Sequence, residues 1–208
     1  MFRDREDAGK RLGARLHHYR GVDTVVVALP RGGVVVGCEV AQALDAPLDI
    51  LSVRKIGHPD NPEYAICATD ELGTLLCDEF EAARLDRSWL EAAQKKEQAE
   101  SLRRAVLYRG GAPPLSRADK TVIVVDDGVA TGLTLRLALR RVQSESPKQI
   151  IAALPVLPAQ LAGRLEEEGV IVEALEADEN FKGAVGAYYE CFDQVSDEEV
   201  IKLLSLCS

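Results

Sequence analysis

Three stretches of this chain are apolar almost without interruption: TVVVALP (24–30), VIVV (122–125) and QIIAALPVL (149–157). A strand with one wet face alternates apolar and polar residues. A continuous run has to be buried on both faces, which in a soluble chain means a parallel sheet covered by helices. PLDILSV (47–53) and VIVEALEA (170–177) read as further strands, and helical patterns at 34–45, 134–144 and 158–169 alternate with the strands. The N-terminal residues 4–20 form an amphipathic pattern with Leu12, Leu16 and Tyr19 at helical spacing. The expectation is a single α/β domain over residues 1–208, built on a parallel sheet flanked by helices.

Three segments stand outside this alternation. The polar stretch RKIGHPDNPEYA (54–65) reads as a mobile loop, and EYAICAT and TLLCDE read as a hairpin turning at Asp70–Gly73. Residues 79–108 read as one long inserted helix, with Leu85, Trp89, Ala92, Lys96, Ala99, Leu102 and Val106 as its packing stripe. The C-terminal segment 178–208 is irregular at first and ends in a helix, with Ser196 as N-cap and Glu199 completing a capping box.

Composition narrows the function. No run approaches the ~18 apolar residues of a membrane span, and the charged N-terminus lacks the apolar core of a signal peptide. The expected setting is cytoplasmic, with no membrane partner. A formal charge of -9 disfavours nucleic acid, whose binding rests on phosphate neutralisation by Lys and Arg. The five cysteines form no C-x-x-C pair and indicate neither a zinc site nor a disulfide framework, so they read as buried or incidental thiols.

The most informative stretch is VIVVDDGVATGLT (122–134). An apolar strand runs into two carboxylates, Asp126 and Asp127, followed by a small, hydroxyl-bearing loop and a helix. Ligands of parallel sheets bind beyond the strands' carboxyl ends. The helix start supplies free backbone N–H groups and a positive dipole end, an anion cradle. Carboxylates beside an anion cradle make sense for a sugar phosphate: the acids accept hydrogen bonds from a diol while the loop holds the phosphate. An acidic turn that merely caps the next helix would explain Asp126 and Asp127 alone, but not all thirteen residues. Neither a P-loop nor a dinucleotide fingerprint is present.

This segment resembles the signature of the type I phosphoribosyltransferases, which bind 5-phosphoribosyl 1-pyrophosphate (PRPP) with Mg²⁺ and replace the pyrophosphate by a nitrogen nucleophile. The resemblance implies that Asp126 and Asp127 hold the ribose side, Asp127 also serving catalysis. It implies that Gly128, Val129, Ala130, Thr131, Gly132 and Thr134 form the 5′-phosphate loop. ALPRGGVVVG (28–37) is similar to the family's pyrophosphate loop, implying pyrophosphate binding at Arg31, Gly32 and Gly33 and a cis Pro30–Arg31 peptide. VRKIGHPDNPEYAICATDELG (53–73) resembles the flexible loop of the adenine-type enzymes. There Arg54 and Lys55 would neutralise departing pyrophosphate and Glu71 would assist proton transfer, a role His58 could share. Phe181 or Tyr188, in FKGAVGAYY (181–189), would stack an acceptor base in a hood-like C-terminal segment. Mg²⁺ would be held mainly by ligand oxygens and water, not by a protein metal site.

The chain also departs from the family. Ala130 and Leu133 stand where the hypoxanthine- and guanine-type enzymes carry an acid and a lysine, which disfavours 6-oxopurines as acceptors. Two readings stay open: a Mg²⁺-dependent transferase acting on PRPP and a nucleobase or amine, dimeric as is common in the family, or a PRPP- or nucleotide-sensing module without turnover. A phosphatase or hydrolase using the Asp pair fits least, since the D-x-D spacing and partner Lys are lacking.

Overall fold

The computed structural model describes residues 1–207, the side chain of Glu63 apart. Five strands, β1 (Thr24–Ala28), β2 (Leu48–Ile50), β6 (Thr121–Val125), β7 (Gln149–Pro158) and β8 (Ile171–Asp178), form a parallel sheet in the order β2-β1-β6-β7-β8. Helices α2 (Gly32–Leu44), α5 (Leu133–Gln143) and α6 (Ala159–Glu167) connect or flank them. All ten residues of β1 and β6 are buried, and alternate positions enter two different cores. Val26, Ala28, Ile123 and Val125 pack with α2, while Val25, Val27, Val122 and Val124 pack with α5 and α6. That double burial is why the runs are continuously apolar.

Chain order reverses between β1 and β6: β2 lies on one side of β1, and β6, β7 and β8 follow on the other. Ala28 pairs with Val125 at the carboxyl ends of these two strands. Such a switch point leaves a crevice where two loops diverge, and here the loops are those opened by Pro30 and by Asp126. Helix α1 (Arg5–Arg15) comes close because of two glycines on its α2-facing side. A Cβ at Gly9 or Gly13 would lie 2.7 Å from the Cβ of Glu39 or Ala43, respectively.

The segment expected to be a mobile loop is strand instead. β3 (Val53–His58) and β4 (Asn61–Asp70) form an antiparallel hairpin joined to β5 (Leu75–Cys77), leaving only Pro59–Asp60 as the turn. Ile56 and its cross-strand partner Cys67, with Ile66 beside them, pack under Trp89, Leu90 and Ala93. The expected single helix is two, α3 (Glu79–Ala82) and α4 (Arg87–Arg109), the second capped by Asp86. The expected stripe holds only at Leu85 and Trp89, and Ala92, Lys96 and Ala99 are exposed. Leu102 and Val106 are 49% and 55% exposed, and Ser101, Ala105 and Tyr108 are buried in their stead. Steps of four from Trp89 through Ala93, Glu97, Ser101 and Ala105 follow the surface that α4 covers, whereas the expected 3-4 alternation drifts away from it.

The cysteine reading is also corrected. Cys38 is bonded to Cys207 and Cys67 to Cys77, with Cys191 free and exposed. Cys67 and Cys77 are register partners across β4 and β5. The other pair joins α2 to the end of α7 (Asp197–Leu206), 169 residues apart, a proximity invisible in spacing. Thiol titration of the denatured protein should count one thiol before reduction and five after. Disulfides are rare in reducing cytoplasm, so the same count bears on the cytoplasmic expectation. Among the described residues, no helix is long and apolar enough to cross a membrane.

Candidate active site

The two loops at the switch point touch. A Cβ on Gly32 would lie 1.9 Å from Asp127 Oδ2, and one on Gly33 would lie 3.0 Å from Asp126 Oδ1. Only glycine permits that approach. The Pro30–Arg31 peptide is cis, as the resemblance implied. Beyond the acids, Gly128 has φ +145° and would clash with Val185 and Val156 if it carried a side chain. The Val129 N–H donates to the Val156 carbonyl at 3.0 Å, fixing the loop against β7. Gly132, at φ +84°, starts α5 without a side-chain cap. Ala130 and Thr131 are exposed, and Thr134 is half-buried in the first turn of that helix. The N-terminal amides of α5 therefore stand beside the acid pair, an anion site next to two carboxylates.

Burial pushes the carboxyls of both Asp126 and Asp127 above the usual range. For Asp126 the neighbouring Asp127 charge adds to this effect, and for Asp127 the Arg5 guanidinium opposes it. Asp126 Oδ1 also accepts the Asp127 N–H at 2.9 Å. Arg5, from α1, donates through Nε to Asp127 Oδ2 at 2.7 Å and through Nη1 to the Asp193 carbonyl at 2.7 Å. Its Cζ sits 3.8 Å over the Phe192 ring. The Tyr189 hydroxyl donates to the Asp127 carbonyl at 2.5 Å, and burial raises that phenol's pKa.

Residues 2–5 and 188–193 thus meet beside the acid pair. The Phe2 N–H donates to the Tyr188 carbonyl, and the N–H groups of Glu190 and Cys191 donate to the carbonyls of Phe2 and Arg3. Sequence reading missed Arg5, Tyr189 and Phe192. The only signal was the aromatic cluster at 188–192, which by composition resembles core.

Other expected residues lie elsewhere. The Arg31 side chain faces Asp197 at 3.7 Å, so it is the backbone of the Arg31–Gly33 turn that meets the acids. Arg54 is paired with Glu97 of α4 at 2.8 Å. Lys55 is exposed, and its cross-strand partner Ala68 packs against Leu137 of α5, so Lys55 belongs to the hairpin face that covers α5. His58 Nδ1 accepts the Asp60 N–H and closes the hairpin turn.

The structure does not bring Glu71 to the acid pair. Glu71 lies 3.9 Å from Arg109, and the adjacent Asp70 lies 4.0 Å from Arg141 in the last turn of α5. Seven residues separate Arg141 from Thr134, roughly 10 Å of helix. Asp70, next to Glu71, builds the turn: its Oδ1 accepts the N–H groups of Leu72 and Thr74. Phe181 is half-buried, stacks on Tyr188 at 5.3 Å and lines a cavity of about 480 Å³ with Pro158, Gln160, Asp178 and Asn180. Among the described residues, no group of three or more His, Cys, Asp or Glu is placed to hold a metal ion.

Residues 3–190 match the phosphoribosyl transferase domain family. Two curated relatives from Mycobacterium tuberculosis, of strains CDC 1551 / Oshkosh and ATCC 25618 / H37Rv, are provisionally named phosphoribosyl transferases. Each is 37% identical over 206 residues, covering 98% of this chain. The chain spans 46% of their length. The crystal structure of the protein TT1426 from Thermus thermophilus is similar throughout, with 40% identity, a TM-score of 0.80, and coverage of 98% of this chain and 97% of that one. With a switch-point site of contacting glycine turn and acid pair, and a match over nearly its whole length, the chain belongs to the phosphoribosyl transferase family.

Proposed function

We propose that the chain transfers the 5-phosphoribosyl group from PRPP to a nitrogen acceptor, a nucleobase or an amine, with release of pyrophosphate. The observation that carries this reading is the contact between the Gly32–Gly33 turn and the Asp126–Asp127 pair. One ligand then has to span a backbone anion cradle, two carboxylates and a second cradle at the start of α5, and PRPP has that order of groups.

In this reading, the amides from Gly128 to Thr134 hold the 5′-phosphate and Asp126 takes the ribose hydroxyls. The backbone of Arg31 to Gly33 holds the pyrophosphate. A carboxylate beside the sugar also favours the positive charge that develops at C1 as the leaving group departs. Lys55, on the hairpin face that covers α5, is the side chain we assign to the departing pyrophosphate. The donor set fits Mg²⁺: two carboxylates against one guanidinium leave a net negative charge, without a ready-made cage of ligands. The ion would be held mainly by pyrophosphate oxygens and water, with Asp126 in reach, and would supply charge neutralisation of the leaving group. The cavity beside Phe181 is the proposed acceptor site, its ring offering a stacking face.

A second reading, PRPP or nucleotide sensing without turnover, is favoured by the engagement of Arg54 with Glu97 and Glu71 with Arg109. Pyrophosphate release from PRPP and Mg²⁺, across a panel of nucleobases and amines, separates the two. Release with one acceptor, lost in an Asp126→Asn/Asp127→Asn variant, is the expected result. Binding of PRPP without release from any acceptor would favour the sensor. Absence of binding would refute both.

A further inference from the structure

We propose that Arg5 is a positioning residue for pyrophosphate binding: it supplies the cation that lets an anion occupy the Gly32–Gly33 turn beside two carboxylates. The inference rests on the PRPP reading above and deepens it.

The turn and the acids are in contact, so a bound diphosphate would lie within a few ångströms of Asp126 and Asp127. Like charges at such distances, away from bulk water, repel strongly. Something in the protein has to offset that before the ligand arrives. Arg31, the cation of the turn itself, faces Asp197 instead. Arg5 is where the need lies. Its Nε is 2.7 Å from Asp127 Oδ2 and 2.7 Å from where a Gly32 Cβ would stand, at the seam between turn and acids.

Arg5 is also held firmly. Its side chain is 12% exposed, tied to the Asp193 carbonyl and stacked on Phe192. α1 is fixed by the close approach of Gly9 and Gly13 to α2, the helix that begins with the pyrophosphate turn. One rigid unit therefore carries both the turn and its counter-charge. The pairing also divides the acids. Arg5 occupies Asp127, while Asp126 is left to meet the sugar.

The test is isothermal titration of wild type, Arg5→Gln and Arg5→Lys with PRPP, inorganic pyrophosphate and ribose 5-phosphate, each with Mg²⁺. A thermal melt of each variant reports folding. If Arg5 offsets charge at the turn, Arg5→Gln weakens PRPP and pyrophosphate roughly tenfold or more, by the electrostatics of a charge a few ångströms away. Ribose 5-phosphate, which lacks the diphosphate, should weaken less than about threefold, since its phosphate sits at the α5 cradle. Arg5→Lys keeps the charge and should keep the preference for PRPP over ribose 5-phosphate, even if Arg5→Gln folds poorly. Equal weakening of all three ligands, loss of that preference in Arg5→Lys, or no change in Arg5→Gln would overturn the role of Arg5 alone. A wild-type protein that binds none of the three would overturn the phosphoribosyl reading, and this inference with it.

Discussion

Asp126→Asn is expected to lower PRPP-dependent pyrophosphate release by roughly 10²–10³-fold, the scale of losing one preorganised electrostatic contact, and at the same time to raise the melting temperature at neutral pH. The second effect comes from burial. Asp126 is held well above the usual carboxylate range by desolvation and by the charge of Asp127. A carboxyl whose folded pKa is raised binds its proton more tightly folded than unfolded, so its contribution to stability is best in acid. That contribution falls as pH rises through the unfolded value, ~4, towards the folded one. Asparagine cannot ionise, so the variant should melt above wild type at pH 7, and the gap should close towards pH 3. Asp127→Asn should behave differently, because it leaves Arg5 buried against a neutral partner. Melting curves for both variants from pH 3 to 8 would check this. An Asp126→Asn protein less stable than wild type at pH 7 would mean that the acid is not stored at a cost to the fold.

The largest loss of stability is expected far from the acid pair. Asp49, in β2, is 5% exposed within a run otherwise apolar. Its Oδ1 accepts from Arg109 Nε at 2.9 Å and from the Ile50 N–H at 2.8 Å. Its Oδ2 accepts from Arg117 Nη2 at 2.9 Å and from the Leu115 N–H at 3.1 Å. Arg117 is itself buried, and its other end meets Glu145 at 2.9 Å. Asp49→Ala takes the shared carboxylate from two largely buried guanidinium groups, leaving Arg117 only Glu145 and Arg109 only Glu71, 3.9 Å away. Breaking a buried pair in this way costs about 3–5 kcal/mol, or roughly 6–20 °C in Tm for a chain of this size. Asp49→Asn, which keeps an acceptor oxygen, should lose less. Pyrophosphate release per folded molecule should stay at the wild-type level in both, measured well below the melting point. A drop in Tm of less than about 2 °C for Asp49→Ala would show the network to be solvated.

How much was legible in the sequence differed by the range of the interaction. Strand runs such as TVIVV and the capped helix at Ser196 depend on neighbours a few residues away, and both stand where patterning put them. The polar stretch 54–65 misled because its apolar residues are spaced for a hairpin face that exists only once α4 lies on it. Helix α4 beyond Trp89 misled because the surface it covers, not its own periodicity, chose the buried face. Glu71 was assigned to proton transfer by a matching position in a loop. Its side chain lies 3.9 Å from Arg109, 38 residues further along, a neighbour that no local pattern shows.

The sequence by itself determined the doubly buried sheet and the strand, acid pair, loop and helix start that follow one another from Val122 to Thr134. Both are written in local order: which residues are apolar, and which residues come directly after a strand. The tertiary structure alone decided that the Gly32–Gly33 turn lies against Asp126 and Asp127, and that Arg5, Tyr189 and Phe192 close over them from opposite ends of the chain. Those contacts join residues 62 or more positions apart, through helix packing and strand order. An electrostatic site is a sum over such neighbours, and no local pattern carries that sum.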